Sequence, residues 1–181
     1  AAFTMHDMVE SKTKVFEKFE KYDFKIWQQS LNGHLSGTFI VTKSVVSHML
    51  KRKHGSIINI ASDIGIISPD HRIYEPNKRY KYKGVDFNTP ISYSVAKSGI
   101  ISMTRYLATY WAKKGIRVNC ISPAGVYKKH NKKFVEQLSH RIPLGRMAKP
   151  HELNGAIIYL CSNASSYVTG HNLVVDGGRT T

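Results

Sequence analysis

The sequence predicts an α/β fold with helices on both faces of a parallel sheet. Three observations carry this: two short, fully apolar runs of strand length, long helical stripes on either side of them, and turn residues at each junction. Strands that alternate with helices must pair in parallel through right-handed crossovers.

The elements follow in order. From Asp23, a side chain suited to capping, apolar residues recur at Trp27, Leu31, Leu35, Phe39, Val46 and Met49-Leu50, which predicts one long helix over 23–53. It should end at Lys51-Arg52-Lys53, where basic side chains favour a helix C-terminus. Ser56 to Ala61 reads as a buried strand with Ser62 at its carboxyl end. Ser68 to Asn88 is polar, contains proline and lacks helical period, so a long loop or insertion is expected. Thr89-Pro90 predicts a helix start with Thr89 as cap, running to about Lys114 and closed by Gly115. Arg117 to Ser122 reads as a second buried strand, stopped by Pro123. Pro150-His151-Glu152 opens a helix through Leu160, and Asn172 to Val175 makes a last strand before Asp176-Gly177-Gly178.

Composition narrows the function classes. The 181 residues are 41% hydrophobic and 22% charged, which excludes disordered, collagen-like and coiled-coil chains. The apolar runs are too short to span a membrane. Two cysteines in this length do not make a disulfide framework, so a cytoplasmic location is expected. The net charge is +15, divided as +5 over residues 1–88 and +10 over 89–181. Such a charge suits phosphate neutralisation on nucleic acid or a pocket for a small anionic substrate. The basic clusters are dispersed over different elements and no nucleic-acid-binding motif is visible, which disfavours nucleic acid. The nine histidines form no His-Glu-x-x-His and the cysteines no Cys-x-x-Cys, so no metal site is expected.

In an open parallel sheet, ligands bind outside the carboxyl ends of the strands. Ser62 and Pro123 to Val126 fall there. Tyr93 and Lys97 stand four apart at the start of the helix between them, on one helical face. An ammonium beside the phenol would lower its pKa and suit it to proton transfer at a carbinol or carbonyl oxygen. Tyr110 and Lys114 share the spacing but lie far along the helix from the strand ends.

Four segments, Gly55 to Ser62, Tyr93-Ser94-Val95-Ala96-Lys97-Ser98-Gly99, Ile116 to Pro123, and Val168-Thr169-Gly170 with Val175 to Gly178, resemble the short-chain dehydrogenase/reductase family in order and approximate spacing. The resemblance covers nearly the whole chain as a single partial domain, and it implies the C-terminal part of a Rossmann-like doubly wound sheet. It implies that Tyr93 is the general acid/base, that Lys97 holds the nicotinamide ribose and tunes Tyr93, and that Ser62 hydrogen-bonds the reacting oxygen. The backbone from Pro123 to Val126 would approach the carboxamide of NAD or NADP. It also implies a homodimer or homotetramer, for which Gly33, Gly37, Ala96, Ser98 and Ser102 offer small residues, although tight packing inside one subunit would use them equally.

The chain departs from the family in three ways. The Gly-rich phosphate turn and the first βαβ units are absent, and the chain starts at Ala1, so a partial sequence is expected. The family's helical Asn aligns with His34 in His34-Leu35-Ser36-Gly37. That histidine either carries the proton relay or is a packed helix residue, and Asn32 is a weaker candidate. Ser62 and Tyr93 are farther apart than is usual because of the insertion. Its Ser68-Pro69-Asp70-His71-Arg72-Ile73-Tyr74 run resembles a subgroup associated with surface-sugar and flagellin-glycan biosynthesis. Arg72, Lys78, Arg79, Lys81, Lys128 and Lys129 would then roof the site and face a phosphorylated or nucleotide-linked sugar. Two competing readings are a non-catalytic dehydrogenase remnant and a basic nucleic-acid-binding protein.

Overall fold

A computed structural model describes residues 15–74, 81–82, 85–86 and 88–181. The Asp23 carboxylate accepts from the Lys25 backbone N–H at 2.7 Å, and helix α1 (Phe24–Leu31) follows. The predicted single helix is interrupted: Asn32–Ser36 forms a π turn before α2 resumes over Gly37–Arg52. Lys53, at φ 52°, closes α2 in the left-handed conformation.

Strand β1 (Gly55–Ile60) leads into a 3₁₀ turn over Asp63–Gly65. The expected loop holds a second 3₁₀ turn, His71–Ile73, and a small antiparallel pair, β2 (Lys81–Tyr82) with β3 (Val85–Asp86). Helix α3 spans Ile91–Trp111, with Pro90 at the cap position and no side-chain cap. Thr89, the expected cap, instead pairs its hydroxyl with the Tyr74 phenol at 2.6 Å. Gly115, at φ 75°, turns the chain where an added Cβ would lie 2.1 Å from the Lys53 carbonyl oxygen, so only glycine fits.

Strand β4 (Ile116–Pro123) is central, and the sheet order is β1-β4-β5 with β5 at Asn172–Val175. Both pairings are parallel, with Ile57 opposite Val118 and Ser122 opposite Val174. Between β4 and β5 run α4 (Lys132–Ser139) and α5 (Asn154–Cys161), the latter entered through a 3₁₀ turn at Pro150–Leu153.

Alternation along the strands assigns the two faces. Ile57 and Val118 pack with Val46 of α2 and with Ala108 and Trp111 of α3. The neighbouring Ser56 and Arg117 point the other way. Ser56 donates to the Leu160 carbonyl at the end of α5, and the Arg117 guanidinium ties together the carbonyls of Leu160, Ser162 and Val168. Helices therefore cover both faces, as predicted. Ala96, expected among interface residues, is fully buried within the subunit, and Gly99 lets the Leu35 side chain pack closely. No described helix is long and apolar enough to cross a membrane.

Candidate active site

The carboxyl ends of β1 and β4 open onto a cavity of about 390 Å³. Ser62 enters it two residues past the end of β1, as the cap of the following turn. That turn is clamped to α3, because Ser98 donates to the Gly65 carbonyl at 2.9 Å and a Cβ on Gly65 would lie 2.8 Å from the Lys97 carbonyl carbon. The clamp sets Ser62 against the first turns of α3, where Tyr93 and Lys97 stand. All three line the cavity together with Pro123, Ala124, Gly125 and Val126. The predicted candidates from three separate segments thus meet in one place.

Ser62 and Tyr93 line the same wall of the cavity. Burial pushes the phenol up from its ordinary value; the neighbouring Ser62 hydroxyl pulls it down, and the Asp63 charge pushes it up again. The expected lowering by Lys97 is not what the geometry gives. Lys97 Nζ lies 5.5 Å from the Tyr93 ring centroid and donates to the Ile60 carbonyl at 2.8 Å, and burial holds this ammonium below its usual value. A neutral phenol is the resting state of this arrangement.

His34 does not line the cavity. It stands behind Tyr93 on the π turn, edge-to-face at 5.5 Å and 89°. Burial, and then the Lys97 charge, lower its pKa, so the ring is neutral near neutral pH. Its Nε2 is buried with no hydrogen-bond partner among the described residues. A π turn places a side chain off the regular helical register, often at functional sites.

The roof differs from expectation. Arg72 is four-fifths exposed and paired with Asp70, while Lys128 and Lys129 are exposed and do not line the cavity. The side chains of Lys78, Arg79 and Lys81 lie outside the described residues. What closes the cavity is apolar: Ile73 and Tyr74 from the insertion, and Phe134, Leu138 and Met147 from the segment after β4. Phe134 stacks on Tyr74, and Arg141 ties the two segments by donating to Asp70 at 2.6 Å. The physical reason is desolvation, since unpaired cations turned inward would lose their hydration.

Sequence reasoning missed Asp63, Arg179 and His130, which also line the cavity. Asp63 stands beside Ser62 in the chain, a signal that was visible. Arg179 follows the Gly177-Gly178 turn and forms a buried ion pair with Asp63. His130 accepts from the Lys128 backbone N–H through Nδ1, which leaves the proton on Nε2.

Comparison with known proteins follows the same lines. Residues 80–180 match the family model described as Enoyl-(Acyl carrier protein) reductase, and residues 11–74 match the one described as short chain dehydrogenase. A curated relative, the 2-dehydro-3-deoxy-D-gluconate 5-dehydrogenase of Bacillus subtilis, is 36% identical over 168 residues, which is 90% of this chain and 59% of that protein. A 3-oxoacyl-[acyl-carrier-protein] reductase of Thermotoga maritima is 35% identical over 156 residues, covering 84% of this chain and 56% of that one. Among solved structures, a short chain dehydrogenase from Leptospira borgpetersenii with bound NAD+ superposes with a TM-score of 0.81 at 36% identity, over 91% of this chain and 60% of that one. A gluconate 5-dehydrogenase from Burkholderia cenocepacia in complex with NADP and tartrate gives 0.77 at 29% identity, with the same coverage. The chain spans about 60% of the length of these relatives. With the parallel sheet and the two family matches in agreement, the chain belongs to the short-chain dehydrogenase/reductase family.

Proposed function

We propose that the protein is an NAD(P)-dependent oxidoreductase that moves a hydride between nicotinamide and a carbonyl or secondary alcohol. The observation that carries this reading is the convergence of Ser62, Tyr93 and Lys97 on one cavity at the carboxyl ends of β1 and β4.

The residues present fit a nicotinamide cofactor. Lys97 is 9% exposed, and its one hydrogen bond among the described residues goes to Ile60, which leaves two N–H donors for adjacent ribose hydroxyls. Pro123 and Val126 would border the nicotinamide, and Tyr93 would reach the ribose as well as the reacting oxygen. When bound, the cofactor supplies the hydride or accepts it. The protein's own work is proton transfer and positioning. Tyr93, held neutral by burial, gives its proton to the substrate oxygen in reduction and takes it back in oxidation. Ser62 fixes that oxygen beside the phenol. His34, neutral and packed on the Tyr93 ring, would occupy the relay position and exchange the proton inward.

The substrate class that the site supports best is a polyhydroxy, sugar-like compound. The Bacillus and Burkholderia relatives act on sugar acids by name, and the insertion's resemblance to surface-sugar enzymes points the same way. A phosphorylated or nucleotide-linked form would need cations beyond those that line the described cavity, where the free donors of Lys97 are assigned to the ribose and Arg179 is paired with Asp63. A homodimer or homotetramer through α2 and α3 is supported by the exposed Phe39, Val41, Tyr106 and Tyr110.

The test uses the full-length protein. NAD(H) and NADP(H) binding is measured by fluorescence, and turnover by nicotinamide absorbance against a panel of polyols, sugar acids, nucleotide sugars and 3-oxoacyl thioesters. Binding of one cofactor and turnover of a hydroxyl- or oxo-sugar are expected. Binding without turnover of any panel member would favour the non-catalytic remnant.

A further inference from the structure

Beside the reacting groups lies a charged pair for which the proposed chemistry has no use. Asp63 is 3% exposed and the Arg179 side chain 7%. One carboxylate oxygen of Asp63 accepts from the Ser62 hydroxyl and from the Ile64 N–H, both at 2.8 Å. The other carboxylate oxygen accepts from Arg179 Nη1. Burying two charges costs several kcal/mol of desolvation, so a clasp alone would be a poor use of the pair.

The delivery of Arg179 is specific. Gly177 and Gly178 both adopt positive φ, 67° and 89°, and a Cβ on Gly177 would lie 2.7 Å from Ile142. Asp176 gathers the turn by accepting from the Gly178 N–H, the Thr180 N–H and the Thr180 hydroxyl. This knot carries the guanidinium from the end of β5 back across the strand ends to the residue next to Ser62.

We propose that Asp63 and Arg179 are positioning residues of the active site: Asp63 directs the Ser62 hydroxyl beside Tyr93, and Arg179 balances the carboxylate charge that Tyr93 would otherwise face. The proposal rests on the reading of Ser62 and Tyr93 as the reacting pair. With its proton committed to Asp63, the Ser62 hydroxyl is held in one orientation beside the phenol. The Asp63 charge itself favours the protonated phenol, which is the upward push it exerts on Tyr93. The other titratable groups beside Tyr93 are Lys97 on its own helix and His34 on the π turn, while Tyr74 feels the charges of Asp63 and Arg179.

The test is a titration that needs neither cofactor nor turnover. Full-length protein is labelled with carbon-13 at the tyrosine ring Cζ, and the Tyr93 signal is assigned by its loss in Tyr93→Phe. Arg179→Gln leaves Asp63 uncompensated and moves the Tyr93 midpoint to higher pH by about one pH unit, and Asp63→Asn moves it lower by a similar amount. Arg179→Lys stays close to the parent. An unchanged midpoint in the folded Asp63→Asn variant would overturn the proposal, and that variant decides the matter if Arg179→Gln does not fold. A shifted midpoint in a protein that turns over no substrate would overturn the oxidoreductase reading alone.

Discussion

The strand-end frame and the roof of the cavity are built by different means. The frame uses backbone geometry: Ser62 follows the end of β1, Tyr93 and Lys97 start α3, and a glycine turn clamped by Ser98 fixes the distance between them. The roof uses side chains from two loops, Ile73 and Tyr74 against Phe134, Leu138 and Met147, with one ionic tie from Arg141 to Asp70. The difference teaches where chemistry and selectivity belong. Proton transfer needs placement that only regular elements hold, whereas the roof can be rebuilt without moving the reacting groups.

Substitutions can break this division, and the largest effect belongs to the frame. Tyr93→Phe keeps the ring packed on His34 but removes the proton, and turnover should fall by about 10²–10⁴-fold with thermal stability nearly unchanged. Steady-state kinetics beside a melting curve checks both. In the roof, Phe134→Ala deletes a ring that is 9% exposed, at a cost of about 3 kcal/mol in chemical denaturation. Its kinetic signature should be a raised KM with kcat little changed, and an equal loss in kcat would place Phe134 in the frame.

A smaller effect belongs to the ionic tie. The bonds from Arg72 and Arg141 hold the Asp70 carboxyl well below its ordinary value. A carboxylate depressed in the folded state contributes stability above its unfolded value, near 3.9, and loses it as pH falls toward the folded value. The stability gap between the parent and Asp70→Asn should therefore stay level at neutral pH and shrink below about pH 4. A gap that grew in acid would contradict the tie. Smallest of all, Lys128→Gln with Lys129→Gln should change stability by less than about 0.5 kcal/mol and leave KM for an uncharged sugar unchanged.

Legibility in the sequence followed the same division. The strand over Gly55–Ile60, the strand over Ile116–Pro123 and the helix beginning near Tyr93 were visible because their hydrophobic periods are local. The site motif rode on them, so Ser62, Tyr93 and Lys97 could be placed before any coordinates. The π turn at Asn32–Ser36 was hidden, since one extra residue in a helix leaves little trace in an i, i+4 stripe. Thr89 looked like a cap, but the half-buried Tyr74 phenol competed for its hydroxyl. The roof was misread for a related reason. Its basic residues are conspicuous in sequence, yet they stay hydrated, while the apolar residues that close the cavity are about sixty positions apart in the chain and form no local pattern. The same holds for Asp63 and Arg179, which are 116 residues apart.

The central claim, hydride transfer at Tyr93, is tested most directly by isotope transfer. Full-length protein is given reduced nicotinamide cofactor carrying deuterium at both C4 positions and a keto-sugar that it turns over, and the product is analysed by mass spectrometry and NMR. One deuterium on the carbinol carbon is predicted for the parent, with Tyr93→Phe forming the same product at least about 10²-fold more slowly. Product without deuterium, or equal rates in the two proteins, would contradict the account.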